Sequence, residues 1–163
     1  MRKSRILTVF LTIAVIFTMS FATVPAYAAS GTAITTADEL KAMENNPSGS
    51  YYLANDIEVP ANLSLFTDYD HPFTGTLDGN GHKIKGYTYT SSEEWLDEVA
   101  LFIWTKNATF KNLSMTGVNI SLNNATSVAA LAAASENGKF SNISVSGKIT
   151  GKLLYQAAGI LAY

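Results

Sequence analysis

Two short stretches, "FKNLSMTG" (110–117) and "FSNISVSG" (140–147), repeat one pattern of residue types 30 positions apart. Phe, Asn, Ser and Gly recur at matching places, and Leu113 is matched by Ile143. Strand-forming residues with a period near 30 are typical of a solenoid, because each turn buries its apolar side chains only by stacking on the next turn. The repeat therefore predicts an all-β fold, a stacked β-solenoid with turns of about 30 residues.

The repeat extends to both sides of these stretches. "VAALAA" (128–133) resembles "AGILAY" (158–163) at an offset of 30, which places Leu131 over Leu161, and it resembles "VALFIW" (99–104) at an offset of 29. Alanine also favours helix, but the glycine and β-formers of the matching copy favour strand. The pattern predicts repeat turns over about residues 73–163.

Two further pairs of residues indicate how successive turns are expected to stack. Ile84 and Leu113 are 29 residues apart, which suggests that they occupy equivalent places in successive turns. Asn112 and Asn142 fall at the same place in the two best copies of the repeat. We expect these two amides to lie one above the other at a corner, where they can satisfy the turning backbone.

The glycine-rich stretch "FTGTLDGNGHKIKG" (73–86) is predicted to be a strand, a turn and a second strand. Alternation places Phe73, Leu77 and Ile84 inward. The turn comprises Asp78, Gly79, Asn80, Gly81 and His82, since Asp-Gly and Asn-Gly pairs allow the positive φ of a tight reversal.

A ligand-binding loop is the alternative for this turn. Asp78 and Asn80 could offer oxygens to a cation, but calcium takes six to eight and the EF-hand spacing is absent. A phosphate-binding motif is also absent, and a zinc site built on His71 and His82 would need a third ligand. We therefore expect a structural turn, with no metal, no cofactor and no catalytic residue.

One helix is predicted ahead of the strands. Thr36 precedes Glu39 by three residues, the spacing of a capping box. Leu40 and Met43 follow at helical spacing, and Pro47 breaks the pattern. We expect a helix over about residues 37–45 that caps the beginning of the solenoid.

The first 28 residues have the features of a secretory signal peptide. Arg2, Lys3 and Arg5 precede a long apolar run, and Ala26 and Ala28 form a small-x-small cleavage site. We expect cleavage after Ala28, a β-helix domain over residues 29–163, no membrane span after cleavage, and a secreted or cell-surface location.

Loss of this segment changes the charge of the chain. Lys plus Arg falls from 11 to 8 against 13 Asp plus Glu, so the formal net charge moves from −2 to −5. Both arginines leave, which disfavours nucleic acid as a partner. Cysteine is absent from the whole chain, so an exported form is stabilised without disulfides.

Together, the helix, the "DI" strand, the "FTGTLDGNGHKI" segment and the "AAGILAY" strand resemble the GLUG-repeat β-helix proteins of bacterial surfaces. The resemblance covers nearly all of residues 33–163 and is most specific over 73–84. The repeat strand departs from it, since "VAALAA" is rich in alanine where the family has glycine. The resemblance implies a right-handed parallel β-helix on an exported bacterial protein and no defined catalytic site.

The candidate binding residues are Trp95, Tyr87 and Tyr89. Trp95 can stack on a sugar or seal the side of the coil, and we favour sealing. It lies in the acidic run "SSEEWLDE" (91–98), which interrupts the repeat. We expect this run to project as a loop or short helix with a solvated face.

Six N-x-[ST] sequences begin at asparagine, and we interpret most of them as solenoid corners rather than glycosylation sites. They start at Asn62, Asn107, Asn112, Asn119, Asn124 and Asn142.

The leading functional hypothesis is a non-enzymatic surface or secreted module for adhesion, binding or spacing, with host or cell-wall glycans or proteins as partners. One alternative is a β-helix polysaccharide lyase or hydrolase, which rests on analogy of fold. Another is the non-catalytic N-terminal region of a larger exported enzyme such as a protease, because the chain stops in mid-repeat at "AAGILAY".

Overall fold

The computed structural model describes residues 29–162, and the predicted signal peptide lies outside that range. Thirteen short strands and one helical segment make up the described chain. In order they are β1 Thr32–Ile34, α1 Ala37–Lys41, a 3-10 turn Ala42–Asn45, β2 Ser50–Leu53, β3 Ile57–Glu58, β4 Thr76–Asp78, β5 Lys83–Lys85, β6 Thr88–Thr90, β7 Leu96–Val99, β8 Phe102–Lys106, β9 Thr109–Ser121, β10 Asn124–Ala129, β11 Ala132–Glu136, β12 Lys139–Thr150 and β13 Leu153–Ala158.

All the strand pairs are parallel, which confirms the predicted β-solenoid, and the described chain makes about four turns. On one face, the strands stack in the order β1, β2, β4, β9 and β12. The 13-residue β9 pairs on one side with β4, β5 and β6 in succession, and on the other with β12. Parallel neighbours come from consecutive turns, so the hydrogen bonds of this face run along the solenoid axis.

The best-matched repeat is in the predicted register over its first half. Phe110 pairs with Phe140 and Leu113 pairs with Ile143. A bulge then shifts the register, so that Gly147 pairs with Val118 rather than with Gly117. The expectation that Ile84 stacks on Leu113 is wrong, because the β5 turn is longer and Ile84 pairs with Met115.

The other two faces are narrower. One contains β7, β10 and β13, and the other contains β8 and β11 with bridges from Leu65 and Leu161. The alanine-rich segment is strand, as predicted, but its offset from the next copy is 29 rather than 30: Ala132 bridges to Leu161, so Leu131 is not its partner. The last strand also ends earlier than expected, at Ala158.

The helical segment lies where the sequence predicts it, and its second half is a 3-10 turn. The Thr36 hydroxyl accepts a hydrogen bond from Glu39 N at 3.1 Å, and the Glu39 carboxylate accepts one from Thr36 N at 3.2 Å, which forms the expected capping box. Leu40 and Met43 are fully buried in the core. One strand was missed: β1 precedes the helix and pairs with β2.

The core of the solenoid is a column of apolar side chains that includes a stack of aromatic rings. Phe102 lies 5.0 Å from Phe110 and 5.5 Å from Phe73, and Phe110 lies 5.3 Å from Phe140 between ring centroids. Phe73, Leu77 and Ile84 all point inward, as predicted. Burial of such side chains is the main stabilising contribution to this fold.

The acidic run is only partly a loop. Residues 91–95 form no strand, but Leu96–Val99 is β7 and pairs with β10 within the solenoid. The prediction of a projecting segment is therefore wrong for residues 96–98, because they belong to β7 and Leu96 packs against the core.

Asparagine marks the corners of the coil. Four of the six N-x-[ST] asparagines have a left-handed backbone, with φ between 50° and 58°, a conformation that asparagine tolerates better than most residues. This agrees with their interpretation as corners. The four are Asn62, Asn107, Asn112 and Asn142.

Candidate functional site

A groove of about 620 Å³ opens on the outer side of β8 and β11. Tyr69 and Trp104 form its aromatic walls, with their rings perpendicular at 88° and their centroids 5.1 Å apart. Its remaining lining is mixed, and consists of Asp70, Pro72, Thr105, Lys106, Ala134, Ser135 and Glu136. The volume falls within the ~300–1,000 Å³ of small-molecule sites.

The groove exists because one turn of the solenoid carries extra chain. Leu65 bridges to Phe102 and Phe73 bridges to Thr105, so eight residue steps in one turn face three in the next. Seven residues therefore lie between the bridges in one turn and two in the next, and the excess of five leaves the coil as a loop. This loop, residues 66–72, places Tyr69 against the Trp104 ring.

The loop begins at a strained residue. Phe66 has φ 55°, a left-handed conformation that is unusual for a bulky side chain. Its ring is buried and stacks on Phe102 at 5.7 Å, and its N–H donates to the Glu44 carboxylate at 2.8 Å. The core and the 3-10 turn therefore hold the start of the loop in a conformation that it would not adopt alone.

Asp68 organises the exposed tip of the loop. Its carboxylate accepts hydrogen bonds from Asp70 N at 2.9 Å and pairs with His71 Nδ1 at 2.7 Å. The hydrogen bond to His71 lowers the pKa of Asp68, and the same bond together with the Asp68 charge raises the pKa of His71. These contacts turn the chain so that Tyr69, which is 69% exposed, lies on the outside.

Trp104, the second aromatic side chain of the groove, is partly buried against apolar neighbours. Ala100, Ile103, Ala129 and Ala133 form a buried cluster, and Trp104 packs against it. In the next turn Ala134 takes the position equivalent to Trp104. A small side chain beside a large one leaves a recess along the indole ring.

A charged pair borders the groove. Lys106 Nζ lies 2.8 Å from Glu136 Oε2 in the next turn, and that hydrogen bond with its charge raises the pKa of Lys106. Both side chains are about half exposed, so the pair adds little to stability. It offers a donor and an acceptor to anything that enters the groove.

Sequence reasoning missed Tyr69 and Trp104. Available signals were the Asp- and Pro-containing stretch "TDYDHP" (67–72), which is typical of a turn, and its lack of a counterpart in the later copies. What could not be seen was contact between side chains that lie 35 positions apart.

The predicted turn at Asp78–His82 is a turn in the structure. Asn80 and Gly81 have φ of 50° and 82°. Gly79 is needed for a different reason from the one predicted: a Cβ there would lie 2.1 Å from the Asn112 carbonyl oxygen of the next turn. His82 N donates to Gly79 O at 2.8 Å and closes the reversal.

The expected amide ladder is present and extends to this turn. Asn142 Nδ2 donates to Asn112 Oδ1 at 3.0 Å, and Asn112 Nδ2 donates to Asp78 Oδ1 at 3.1 Å. Burial tends to raise the pKa of Asp78, but hydrogen bonds from Asn80 and Asn112 and the nearby Lys111 outweigh it, so the pKa is lower than usual. The contacts of Asp78 with Asn80, Lys111 and Asn112 hold the turn and its neighbouring strand together.

The three aromatic candidates are scattered over the molecule. Tyr87 is fully buried, so it cannot contact a ligand at the surface, and burial raises its pKa. Tyr89 is partly buried against the core. Trp95 is 42% exposed and packs on Tyr155 at 5.6 Å, so it is a surface residue and not the buried seal that we favoured.

The described part of the chain contains neither a metal-binding cluster nor a membrane-spanning helix. Within residues 29–162, no group of three or more His, Asp and Glu side chains is arranged to hold a metal ion. Over the same range, no helix has the length and apolar character needed to cross a membrane.

Comparison with known proteins places this architecture in context. The family described as the M26 IgA1-specific metallo-endopeptidase N-terminal region matches residues 27–147. Halomucin of Haloquadratum walsbyi (strain DSM 16790 / HBSQ001) is 31% identical over 135 residues, an alignment that covers 69% of this chain and 1% of halomucin. No solved structure matches the chain. The two similarities hint at a surface-associated repeat protein.

Proposed function

This chain belongs to the family of M26 IgA1-specific metallo-endopeptidase N-terminal regions, and from that premise we propose that it is a non-catalytic solenoid module of an exported protein. The observation that carries the proposal is the extent of the match, which runs from residue 27 through β1 to most of β12. The whole repeat architecture, and not a single motif, is therefore what the chain shares with that family.

The geometry fits a spacer that holds other parts of a protein away from a surface. Parallel strands stack along one axis, and consecutive turns are joined by backbone hydrogen bonds and by side-chain ladders such as Asp78–Asn112–Asn142. A solenoid of this kind is stiff along its axis and can be lengthened by adding turns. In this role the module sets the distance and orientation of the parts that it joins and carries out no reaction.

Export is part of the proposal. The family consists of secreted or surface proteins, and the basic start, apolar run and Ala26-x-Ala28 site form a leader over residues 1–28. Residues 29–163 are then the exported solenoid domain. N-terminal sequencing of the secreted form should begin at Ala29, and retention of Met1 would contradict this assignment.

A peptidase assay tests the non-catalytic role. The full chain is expressed for export, and the secreted form is incubated with IgA1 and divalent metal. We expect intact IgA1, and chelator-sensitive cleavage by this chain alone would overturn the proposal. If the natural reading frame continues past Tyr163, the longer product is assayed in parallel as the matched control.

Adhesion is the second candidate, and the Tyr69–Trp104 groove favours it because an adhesin needs a surface site. The resemblance to bacterial GLUG-repeat proteins, which is most specific over residues 73–84, supports the same class. A polysaccharide lyase or hydrolase stays the weaker alternative and is tested by screening for products from acidic polysaccharides.

A further inference from the structure

We infer that the groove lined by Tyr69 and Trp104 binds an uncharged oligosaccharide. This goes beyond the proposed role, since a spacer needs no ligand, and the inference holds whether or not a peptidase region follows. It is argued from three properties of the groove: its aromatic walls, its polar border and its charge.

The aromatic walls suit the apolar face of a sugar ring. A pyranose presents C–H groups on its flat faces, and the π-face of an aromatic ring carries partial negative charge that attracts them. Tyr69 is 69% exposed, and Trp104 packs against the buried cluster of Ala100, Ile103, Ala129 and Ala133. The two rings are in edge-to-face contact at 88° and form a continuous aromatic corner. A sugar ring in this corner can pack its flat face on one aromatic ring and its edge on the other.

The polar border suits the hydroxyl groups on the rim of the sugar. Asp70 and Glu136 carry carboxylates that accept hydrogen bonds, and Lys106 donates. A small number of polar groups around an apolar centre is the usual composition of a ligand site. Hydroxyl-rich ligands can satisfy both kinds of partner along one edge.

Charge selects among sugars. Among the described residues that line the groove, Lys106 is the one cation, and it is already paired with Glu136 at 2.8 Å. Asp70 adds a further negative charge on the loop. Uronic or sialic acids would therefore meet net repulsion, so the favoured ligand is neutral.

A proline-rich peptide is the competing ligand, because aromatic grooves also bind polyproline helices. Such peptides dock across several aromatic slots, whereas this groove has one aromatic corner flanked by charged side chains. The structure therefore favours the sugar, and the peptide enters the test as an outcome.

Isothermal titration calorimetry on the secreted full chain tests the inference. The probes are cellohexaose, chitohexaose and mannohexaose, with hexagalacturonate as the acidic counterpart and a proline-rich decapeptide as the rival. We expect at least one neutral hexasaccharide to bind and hexagalacturonate to bind more weakly. Failure of all three neutral sugars to bind, or binding of the decapeptide alone, would overturn the inference.

Matched variants locate the site. Tyr69→Ala removes an exposed ring, so folding should be kept and affinity for the bound sugar should fall about tenfold. Tyr155→Ala removes a tyrosine of similar exposure, 67%, outside the groove and should change affinity less than about twofold. Trp104→Phe, which keeps an aromatic wall, should give an intermediate loss, and melting curves confirm that each variant folds. Equal losses for Tyr69→Ala and Tyr155→Ala, or loss only for Tyr155→Ala, would refute the assignment.

Discussion

The β9–β12 face repeats the same contacts from turn to turn, whereas the loop over residues 66–72 has no repeated contacts. Over the first half of the face, residues of one turn meet their equivalents in the next turn, and Phe110 stacks on Phe140 as Asn112 stacks on Asn142. In the loop, the backbone of Phe66 is strained at its positive φ. The loop then leaves Tyr69 exposed at the surface. The regular region holds the fold together, whereas the irregular one creates the surface with ligand-binding geometry.

This contrast shows how a repeat protein can gain a site without losing its core. The extra residues enter between two bridges, so the register of β8 on either side of them is kept. The cost of the strained Phe66 is offset by its buried ring and by its hydrogen bond to Glu44. A change in the loop should therefore affect the groove first, and a change in the face should affect global stability first.

The largest expected effect is in the aromatic column. Phe110→Ala should lower the free energy of unfolding by about 3–5 kcal/mol, because the ring is fully buried among Phe73, Phe102 and Phe140 and its removal leaves a cavity. Denaturant unfolding followed by circular dichroism measures this. Phe140→Ala is the control: its ring is only partly buried, so the loss should be smaller. Equal losses would show that the two turns are equally packed.

The next largest effect separates two glycines of one turn. Gly79→Ala forces a Cβ against the Asn112 carbonyl and should cost about 1–3 kcal/mol. A Cβ at position 81 meets no atom within 4 Å, so Gly81→Ala should lower the free energy of unfolding only by the strain of φ 82°, about 1 kcal/mol. Thermal melts of both variants give the comparison. A greater loss at Gly81 would mean that φ, and not close approach, decides this corner.

The amide ladder should contribute less. Asn112→Ala removes two side-chain hydrogen bonds and places alanine at φ 50°, for a loss of about 1–2 kcal/mol. Asn112→Gly removes the same bonds but accepts the backbone conformation. Chemical denaturation of the two variants separates the bonds from the strain. If glycine is no better than alanine, the strain contributes nothing.

Acid should weaken the same ladder at Asp78. Its pKa is lower in the folded chain than in the unfolded one, so its contribution is present above the ordinary carboxyl pKa and is lost as the pH falls through the folded value. We expect the melting temperature to fall on acidification below about pH 4. Asp78→Asn is the control and should flatten that part of the profile; an unchanged profile would place the acid sensitivity elsewhere.

The smallest effect is expected in the loop. The pKa of His71 is raised by Asp68, so their pairing is complete below the ordinary histidine pKa and is lost as the pH rises through the raised value. Both groups are exposed, so global stability should barely change. Hydrogen exchange of the backbone amides of residues 67–71 should quicken with pH more than intrinsic exchange predicts. The same excess in Asp68→Asn would contradict this role.

Much of the regular region could be predicted from the sequence. Phe110 over Phe140, the Asn112–Asn142 pair and the Thr36–Glu39 capping box all follow from residue type and spacing. The errors fall where the turn length changes. Ile84 pairs with Met115, and Ala132 with Leu161, because insertions and a bulge shift the offset by one or two residues. A one-residue slip is invisible in a pattern with many small and β-forming residues.

The candidate site could not be predicted in the same way. Of the aromatic residues chosen from the sequence, Tyr87 proved to be buried and Trp95 to lie apart from the groove. The stretch "TDYDHP" indicates a turn at Tyr69, but nothing in the local pattern shows that Tyr69 and Trp104 meet. Their pairing depends on how far the loop departs from the coil, which is set by the bridges at Leu65 and Phe73.

The sequence alone determined the β-solenoid, its period near 30, its helix and its asparagine corners, because stacking repeats the same local chemistry at a fixed distance along the chain. Only the tertiary structure decided the exact register, the role of Gly79 and the existence of the groove. These depend on contacts between turns of unequal length. Packing across turns, and not residue propensity, determines which side chains meet there.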